Sequence, residues 1–343
     1  MSAFIRVRRF AAFSLVAALF TATAFAEDVI DPVDPLEDQA LAEEASAKFE
    51  QALDTFRDAV RTAVDQAGQG GEARERNLAR AEVLLEKVNS LTETTSKQSE
   101  TRKFLDELDP AKLGPVLAGH VRYQRARLAA ADGDLAAAEA LLAELGLVRN
   151  WWVLGPFDNE RGSGFKSSGP AESGVDLDGK WKGKLRQVAW RQVPVAPRFG
   201  YIDLDELLRP NDQCYAYAVA FVKSDAERDA ALRLGSDEAV KAWVNGREVL
   251  SRDLRRELAF DQDVVGVRLA AGWNTVLIKV HDQTGSWGFR ARLTDAEGAP
   301  IPGLVVASTR EEADAALHGP APAQDVTGAV SGGAKSYLDQ AAA

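Results

Sequence analysis

The strongest constraint on the fold is a change in hydrophobic periodicity near Arg149. Before it, apolar residues recur at steps of three and four, the spacing of a helix that buries one stripe. After it, short apolar runs alternate with turn residues every ~8–12 residues, which is typical of a β-sandwich or barrel. All seven tryptophans lie between Trp151 and Trp287. The periodicity therefore predicts two domains of the α+β class, a helical bundle or helical repeat followed by an all-β sandwich or barrel.

The helical domain is predicted over residues 38–148. An apolar stripe from Leu41 to Val64 favours a single long helix, and Asp109-Pro110 supplies an N-cap and a first-turn proline for a later one. The last helix pair, residues 126–142, resembles a tetratricopeptide repeat, because small residues recur where two antiparallel helices approach closely. An ordinary helical hairpin within a small bundle is the alternative interpretation.

The sandwich is predicted over residues 149–306 from eight apolar runs. Asn245-Gly246 between two such runs is the strongest local signal for a two-residue hairpin. The run Cys214–Val222 is apolar on both faces, which predicts a central strand covered on each side. The runs are Trp151–Leu154, Gln187–Val193, Cys214–Val222, Ala230–Leu234, Val240–Val244, Val264–Leu269, Thr275–Val280 and Trp287–Leu293.

The first 26 residues have the pattern of a cleaved secretory signal. Three arginines precede an apolar stretch that ends in Ala24-Phe25-Ala26, the small-residue cleavage pattern. No later apolar run is long enough to span a bilayer. We therefore expect export to the periplasm or the exterior, with no integral membrane segment after cleavage.

Two further segments flank the predicted domains. Residues 27–37 form a short leader rich in Pro and Asp. Residues 307–343 are rich in Ala, Gly and Pro, and beyond a turn of helix at Arg310–Leu317 this tail is expected to be disordered.

The charge and cysteine content exclude some classes of partner and site. Lys and Arg total 41 and Asp and Glu total 52, for a net charge of -11. An acidic chain has no general attraction for nucleic acid, so we expect no nucleic-acid partner. The single cysteine excludes an intramolecular disulfide, and three histidines leave little material for a metal site.

The most specific pattern in the chain is Leu232–Val249, in which Gly235-Ser-Asp-Glu-Ala leads into Val240-Lys-Ala-Trp-Val-Asn-Gly246. It resembles the β-sandwich module of the galactose-binding-like superfamily, whose usual form is Gly-Ser-Asp-Asp-Gly followed by Val-x-Val-Trp-Val-Asn-Gly. The resemblance covers about residues 150–306. It implies a jelly roll that binds sugar or accompanies secreted glycoside hydrolases and esterases. Glu238-Ala239 replaces the second Asp and the Gly of the usual form.

Four side chains are the candidate ligand-binding residues. Aromatic rings on a sandwich stack on sugar faces, which favours Trp243, on the face opposite Val244, and Trp181 in a loop rich in Gly and Lys. A core or loop-anchoring role is the alternative for both tryptophans. Asp237 would accept hydrogen bonds from sugar hydroxyls. Arg290 would donate them, with a solvated strand face as the alternative.

No catalytic constellation is identified. The pair His281-Asp282 would begin a triad only if a serine such as Ser286 reached it, and a surface histidine beside a turn-capping aspartate is the favoured interpretation. No cofactor is expected. Structural calcium would need hard oxygen ligands, and the candidate carboxylate pairs are favoured as turn and rim residues. These pairs are Asp176/Asp178, Asp203/Asp205 and Asp261/Asp263.

The sequence thus predicts a secreted, non-catalytic binding or scaffold protein of the cell envelope. Its sandwich would bind an envelope glycan and its helical part would contact a protein partner. One alternative is an accessory protein or weak hydrolase acting on polysaccharide. The other is a purely structural assembly protein with no small ligand.

Overall fold

Helices occupy residues 34–143 and antiparallel sheets residues 152–306, which confirms the α+β class and the order of its two parts. The computed structural model describes residues 31–70, 73–318, 322 and 325–332. The predicted signal and the last part of the predicted tail lie outside these residues. No helix within the described ranges is both long enough and apolar enough to cross a bilayer.

The described residues form two compact units, one ending at Leu117 and the other comprising Ala118–Gly332. This division falls inside a helix and about 30 residues before Arg149, where the character of the sequence changes. The second unit therefore contains the sandwich together with the helical hairpin that precedes it.

The first unit is built from long helices. Where the periodicity predicts one helix, the chain breaks at Ala47, which has a φ of 58°. The step from Ala45 to Phe49 is itself four residues, so the apolar spacing continues through the break and hides it. Leu53, Phe56 and the rest of the stripe are buried as expected. The helices are α1 (Asp34–Ala45), α2 (Phe49–Gly68), α3 (Ala73–Thr95), α4 (Gln98–Glu107) and the first part of α5 (Pro110–Ala131).

The helical hairpin of the second unit consists of the rest of α5 and α6 (Leu135–Ala143). Asp134 caps α6, since its carboxylate accepts a hydrogen bond of 2.9 Å from the backbone N–H of Ala137. Tyr123 and Leu142 belong to one apolar cluster with Phe260 of the sandwich. The hairpin therefore covers the outer face of a sheet, and its likeness to a tetratricopeptide repeat stays a prediction.

Two antiparallel sheets form the sandwich. The larger has the order β4-β1-β6-β11-β8-β9, with β13 also paired to β6, and the smaller has the order β10-β7-β12-β5. The strands are β1 (Trp152–Asp158), β2 (Lys180–Lys182), β3 (Gln187–Ala189), β4 (Arg191–Gln192), β5 (Tyr201–Asp203), β6 (Cys214–Ser224), β7 (Arg228–Ser236), β8 (Val240–Val244), β9 (Arg247–Arg252), β10 (Asp263–Leu269), β11 (Gly272–His281), β12 (Gly288–Thr294) and β13 (Val305–Val306). Three short helices accompany them, α7 (Ser163–Lys166), α8 (Leu204–Leu207) and α9 (Arg310–His318).

The main core lies between the two sheets. Side chains such as Leu232, Ile278 and Phe289 point inward and are fully buried. Strand β6 lies between β1 and β11, and each of its residues except Lys223 is buried, as its two apolar faces predict. Cys214 opens this strand, and burial raises the pKa of its thiol to about 11, so it stays protonated at neutral pH.

The hairpin between β8 and β9 has the predicted turn. Asn245 and Gly246 have φ of 51° and 80°, the two positive values that a type I′ turn requires. The Asn245 side chain also accepts a hydrogen bond of 2.9 Å from the backbone N–H of Thr275. Asn245 therefore adopts the positive φ that the turn requires and also forms a hydrogen bond to β11.

We expect Gly246→Val to lower the free energy of unfolding by about 1–3 kcal/mol, through backbone strain. No atom lies within 4 Å of the position that a Cβ would occupy, so a steric clash does not add to the loss. Gly246→Asn, which tolerates positive φ, should lose less and serves as the control. Urea denaturation of the three proteins measures both losses, and an unchanged midpoint for the valine variant would contradict the turn assignment.

The described part of the C-terminal tail contacts the sandwich. Helix α9 occupies the position of the predicted helical turn. Beyond it, where the sequence predicts disorder, the backbone N–H of Thr327 donates to Asp229 at 3.1 Å and Asp325 pairs with Arg247. Val326 lies beside Gly266 of β10. Residues 326–331 therefore contact the smaller sheet, while Asp325 contacts β9 of the larger one.

Candidate functional site

The outer face of the larger sheet is covered by the segment that follows β1. Along β6 and β11 the side chains of this face include Tyr215, Tyr217, Lys279 and His281, opposite in direction to the core residues. Part of this face opens into a cleft of about 590 Å³. That volume is within the usual range for small-ligand sites, ~300–1,000 Å³.

The floor of the cleft is aromatic. Phe157 of β1 and Tyr215 of β6 are direct partners in the sheet register and both line the cleft. Their rings are stacked, with centroids 5.1 Å apart and planes at 21°. Because neighbouring strands place these rings side by side, the sheet holds them rigidly.

One wall of the cleft is the short helix α7, held in place by a buried lysine. The Nζ of Lys279 donates to the backbone oxygens of Gly164 and Ser167, at 2.9 and 2.8 Å, and to the Glu172 carboxylate at 2.9 Å. All three donors of the ammonium group are used, and the side chain is 0% exposed. Lys279 is therefore a positioning residue that fixes the wall to the sheet.

Glu172 accepts the hydrogen bond from Lys279 as a carboxylate anion. Its carboxylate also accepts hydrogen bonds from the Tyr217 hydroxyl at 2.6 Å and the Gly169 N–H at 3.1 Å. Burial alone would raise the pKa of Glu172, but hydrogen bonds from Tyr217 and Lys279 outweigh it and lower that pKa. Glu172 is therefore ionised at neutral pH, while burial lowers the pKa of its partner Lys279.

The opposite wall is the β2–β3 hairpin and its turn. The Nζ of Lys184 donates to the backbone oxygen of Gln213 at 2.8 Å and lies 3.2 Å from the Asp158 carboxylate. Strand β2 exposes Lys180 and Lys182 and turns Trp181 inward. The cleft thus has polar, charged walls above an aromatic floor. Its further lining residues include Glu160, Ser163, Lys182 and Leu185.

The His281-Asp282 pair is buried, which corrects the expectation of a surface histidine. His281 is 2% exposed and its Nδ1 lies 3.4 Å from the Asn159 side-chain oxygen. Burial, then the charges of Lys279 and Lys241, lowers the pKa of His281 to about 3. The ring is therefore neutral, and among the described residues it has no hydrogen bond to a serine.

Asp282 acts at the end of its strand, as the turn-capping interpretation expects. Its carboxylate accepts a hydrogen bond of 3.1 Å from the backbone N–H of Gln213. Burial and the nearby Glu238 raise the pKa of Asp282 to about 7. Asp282 therefore caps the end of β11. The described hydrogen bonds do not connect a serine, the histidine and the aspartate in the way that a catalytic triad requires.

The four side chains predicted to bind a ligand lie in three different places. Trp243 is 6% exposed and belongs to the apolar cluster on the outer face of the larger sheet, with Trp181 packed against the same cluster. Arg290 is on the smaller sheet, where its Nε donates to the Phe199 backbone oxygen at 2.8 Å. Asp237 is in the turn between β7 and β8. The structure does not bring them together as one site.

Trp243 and Arg290 are covered by other parts of the second unit, and Asp237 is partly buried. Trp243 is a core residue, since α9 and the segment before β4 cover the face that its parity predicted to be partly wet. The guanidinium of Arg290 lies 4.8 Å from the centre of the Tyr123 ring, so the helical hairpin covers part of this face. Burial, then Glu238 and Glu257, raises the pKa of Asp237 to about 6.

The predicted carboxylate pairs have structural partners. Asp203 caps α8 by accepting from the N–H of Glu206, and Asp176 accepts from the N–H of Asp178. Asp263 lies 3.1 Å from Arg252, while Asp261 pairs with Arg292. Within the described ranges, no group of three or more His, Cys, Asp or Glu side chains is arranged to hold a metal ion.

Glu172 and Lys279, which hold one wall of the cleft in place, were not predicted from the sequence. One signal was present, because Lys279 interrupts the apolar run Thr275–Val280 on the face opposite Ile278. A buried lysine needs a partner. The partner, Glu172, is more than 100 residues distant in the chain and no local pattern identifies it.

The comparisons with known proteins give only slight likenesses. No protein-family model matches the chain, and no curated protein gives a significant match. Among solved structures, the PA14 domain of the antifreeze protein MpAFP matches 28% of this chain at 12% identity, with a TM-score of 0.24. A β-glucosidase from Kluyveromyces marxianus matches 48% at 10% identity, with a TM-score of 0.28. A glycosyl hydrolase family 2 member from Bacteroides cellulosilyticus matches 43% at 15% identity, with a TM-score of 0.25.

This chain spans 55% of the antifreeze domain, 18% of the β-glucosidase and 21% of the family 2 hydrolase. At these scores the likenesses assign neither a ligand nor an activity. The candidate function therefore has to be argued from the cleft.

Proposed function

We propose that this protein is an exported, non-catalytic glycan-binding protein, and that the glycan binds in the cleft on the outer face of the larger sheet. The order of arginines, apolar stretch and Ala-x-Ala pattern in residues 1–26 supports export. The protein partner expected for the helical residues stays a prediction from the sequence.

The cleft is the single observation that carries the proposal. A sugar presents apolar C–H faces and a ring of hydroxyl groups, so it needs an aromatic surface beside several donors and acceptors. The small exposed parts of Phe157 and Tyr215, 6% and 8% of these residues, supply the first, and Glu160, Ser163 and Lys182 supply the second. A rigid floor and a wall fixed by Lys279 reduce the ordering that binding requires.

We expect weak binding, with Kd in the range of about micromolar to millimolar. Purified protein is screened on an array of neutral and acidic oligosaccharides, and the best ligand is titrated by calorimetry. Ser163→Phe places a ring in the cleft at an exposed residue whose hydroxyl has no hydrogen-bond partner among the described residues. It should weaken binding by at least about tenfold, ~1.4 kcal/mol.

The matched control is Ser173→Phe, the same change at an exposed serine that does not line the cleft. It should bind like the parent. Equal affinity for both variants would place the ligand elsewhere, and an array without any bound glycan would refute the proposal and favour the structural assembly interpretation.

Hydrolysis is followed in the same samples, because two carboxylates line the cleft and a glycosidase needs such a pair. Asp158 and Glu160 are those residues, and Asp158 is in an ion pair with Lys184. We expect no release of reducing ends. Release that Glu160→Gln abolishes would establish the hydrolase alternative.

A further inference from the structure

The hairpin that forms one wall of the cleft is strongly basic in an acidic chain. Residues 179–202 contain no Asp or Glu, against a net charge of -11 for the whole sequence. The six basic residues in this stretch are Lys180, Lys182, Lys184, Arg186, Arg191 and Arg198. The concentration of one charge sign at one surface needs a physical reason, because like charges repel each other there.

Five of these cations have no ion pair among the described residues, and one of the five, Arg198, donates to the backbone oxygen of Leu135 instead. We call Lys180, Lys182, Arg186 and Arg191 the basic hairpin; all four side chains are exposed. By contrast, Lys184 is used by Asp158 and by two backbone oxygens.

The sheet register shows which side of β2 carries the lysines of the basic hairpin. Lys180 and Lys182 alternate with the inward-facing Trp181, so both lie on the solvent side of β2. Lys182 lines the cleft, next to the turn that carries Arg186. Partial burial, then the charge of Arg186, lowers the pKa of Arg191.

The negative groups of the cleft do not neutralise this surface. Asp158 is paired with Lys184, and Glu160, the other carboxylate that lines the cleft, is exposed and has no ion pair among the described residues. An anionic ligand would relieve the repulsion among the cations. It would also gain charge-assisted hydrogen bonds, which are about twice as strong as neutral ones.

We propose that the glycan in the cleft is anionic, with carboxylate or sulfate groups that contact the basic hairpin while a sugar ring lies on the aromatic floor. This inference rests on the proposed glycan-binding function and specifies its ligand class. A nucleic acid fits less well, because its binding needs an extended basic track and the basic residues here are confined to one hairpin beside a cleft.

The test compares matched pairs of ligands by calorimetry. Oligogalacturonate is paired with an oligogalactan of equal length, and dextran sulfate with dextran. We expect the anionic member to bind at least about tenfold more tightly at ~0.05 M salt, and to lose most of that advantage at ~0.5 M salt, where exposed charges are screened. A difference in the galacturonate pair identifies a carboxylate as the recognised group, and a difference in the dextran pair identifies a sulfate.

Two double variants locate the effect. Lys180→Gln with Arg186→Gln, two exposed residues that do not line the cleft, should remove most of the preference for the anionic member and leave the affinity for the neutral member unchanged. Lys103→Gln with Arg255→Gln removes one lysine and one arginine at other exposed positions and should behave like the parent.

The outcomes separate the two proposals. If neutral and anionic members bind equally and the hairpin variant changes neither affinity, the anionic preference is refuted while glycan binding stands. If no glycan binds, both fall. If a single-stranded oligodeoxythymidylate binds as tightly as the anionic glycan and with the same salt dependence, the surface is a general polyanion site and the inference is refuted.

Discussion

Asp261→Asn is expected to lower the free energy of unfolding of the second unit by about 3–5 kcal/mol, the usual loss when one partner of a buried ion pair is removed. The Asp261 carboxylate accepts a hydrogen bond of 2.8 Å from the Nε of Arg292 and lies 3.7 Å from both Arg233 and His120. The side chains of Asp261 and Arg292 are only 3% and 2% exposed. Neutral asparagine would leave buried positive charge without its counter-ion.

Asparagine is the right substitution because Asp261 has a φ of 52°, a conformation that asparagine tolerates. The loss is measured by urea denaturation followed by tryptophan fluorescence. All seven tryptophans lie between Trp151 and Trp287, so the signal reports the second unit. The matched control is Asp225→Asn, which breaks an exposed pair with Arg228 and should change stability by about 1 kcal/mol or less.

The same variant has a predictable pH dependence. Burial would raise the pKa of Asp261, but Arg292 and Arg233 outweigh it and lower that pKa. A lowered folded-state pKa contributes stability that is present above the unfolded value, ~3.9, and is lost as the pH falls through the folded value. The difference between the parent and Asp261→Asn should therefore be largest at neutral pH and shrink in acid. A difference that grew on acidification would contradict this assignment.

Trp243→Ala is expected to lower the free energy of unfolding by about 3–5 kcal/mol, the cost of truncating a large core aromatic side chain. Its ring is 6% exposed and shares an apolar cluster with Phe221, Leu277 and Ala313. Truncation would leave a cavity beneath the outer layer. We expect glycan affinity, measured below the new melting temperature, to be unchanged.

The control for this change is Trp181→Ala, which removes a partly buried tryptophan of the same cluster and should lose less stability. Thermal melts of the three proteins order the losses. If Trp243→Ala melted like the parent and lost its ligand, Trp243 would be a binding residue after all and the cleft would not be the site.

The strands were predictable because their signals are local. The run Val240–Val244 is a strand with those same ends, and Asn245-Gly246 is its turn. The short strands β2, β5 and β13 have three residues or fewer and gave no alternating pattern.

The sandwich's outer layers were not predictable. Parity correctly placed Trp243 and Val244 on opposite faces, and Arg290 and Arg292 on one face. Side-chain parity does not reveal that α9 covers the face of Trp243, or that the helical hairpin covers the face of Arg290. Those contacts join distant parts of the chain. For the same reason, His281 was expected at the surface although it is buried.

The candidate site shows the same division between local and distant signals. Trp181 and the lysines around it belong to the hairpin whose turn lines the cleft, but the ring of Trp181 packs inward. The cleft itself depends on the sheet register that pairs Phe157 with Tyr215, 58 positions apart. It depends equally on Lys279, whose three acceptors come from a different segment.

Mapping the ligand on the protein tests the central claim most directly. Backbone amide signals of the labelled protein are recorded by NMR during titration with the oligosaccharide that binds best on the array. We expect the largest shifts at Gly164, Gly183 and Leu185, on the two walls of the cleft. Shifts confined to the turn Gly235–Glu238, or saturating binding without any shift at the cleft, would contradict the account.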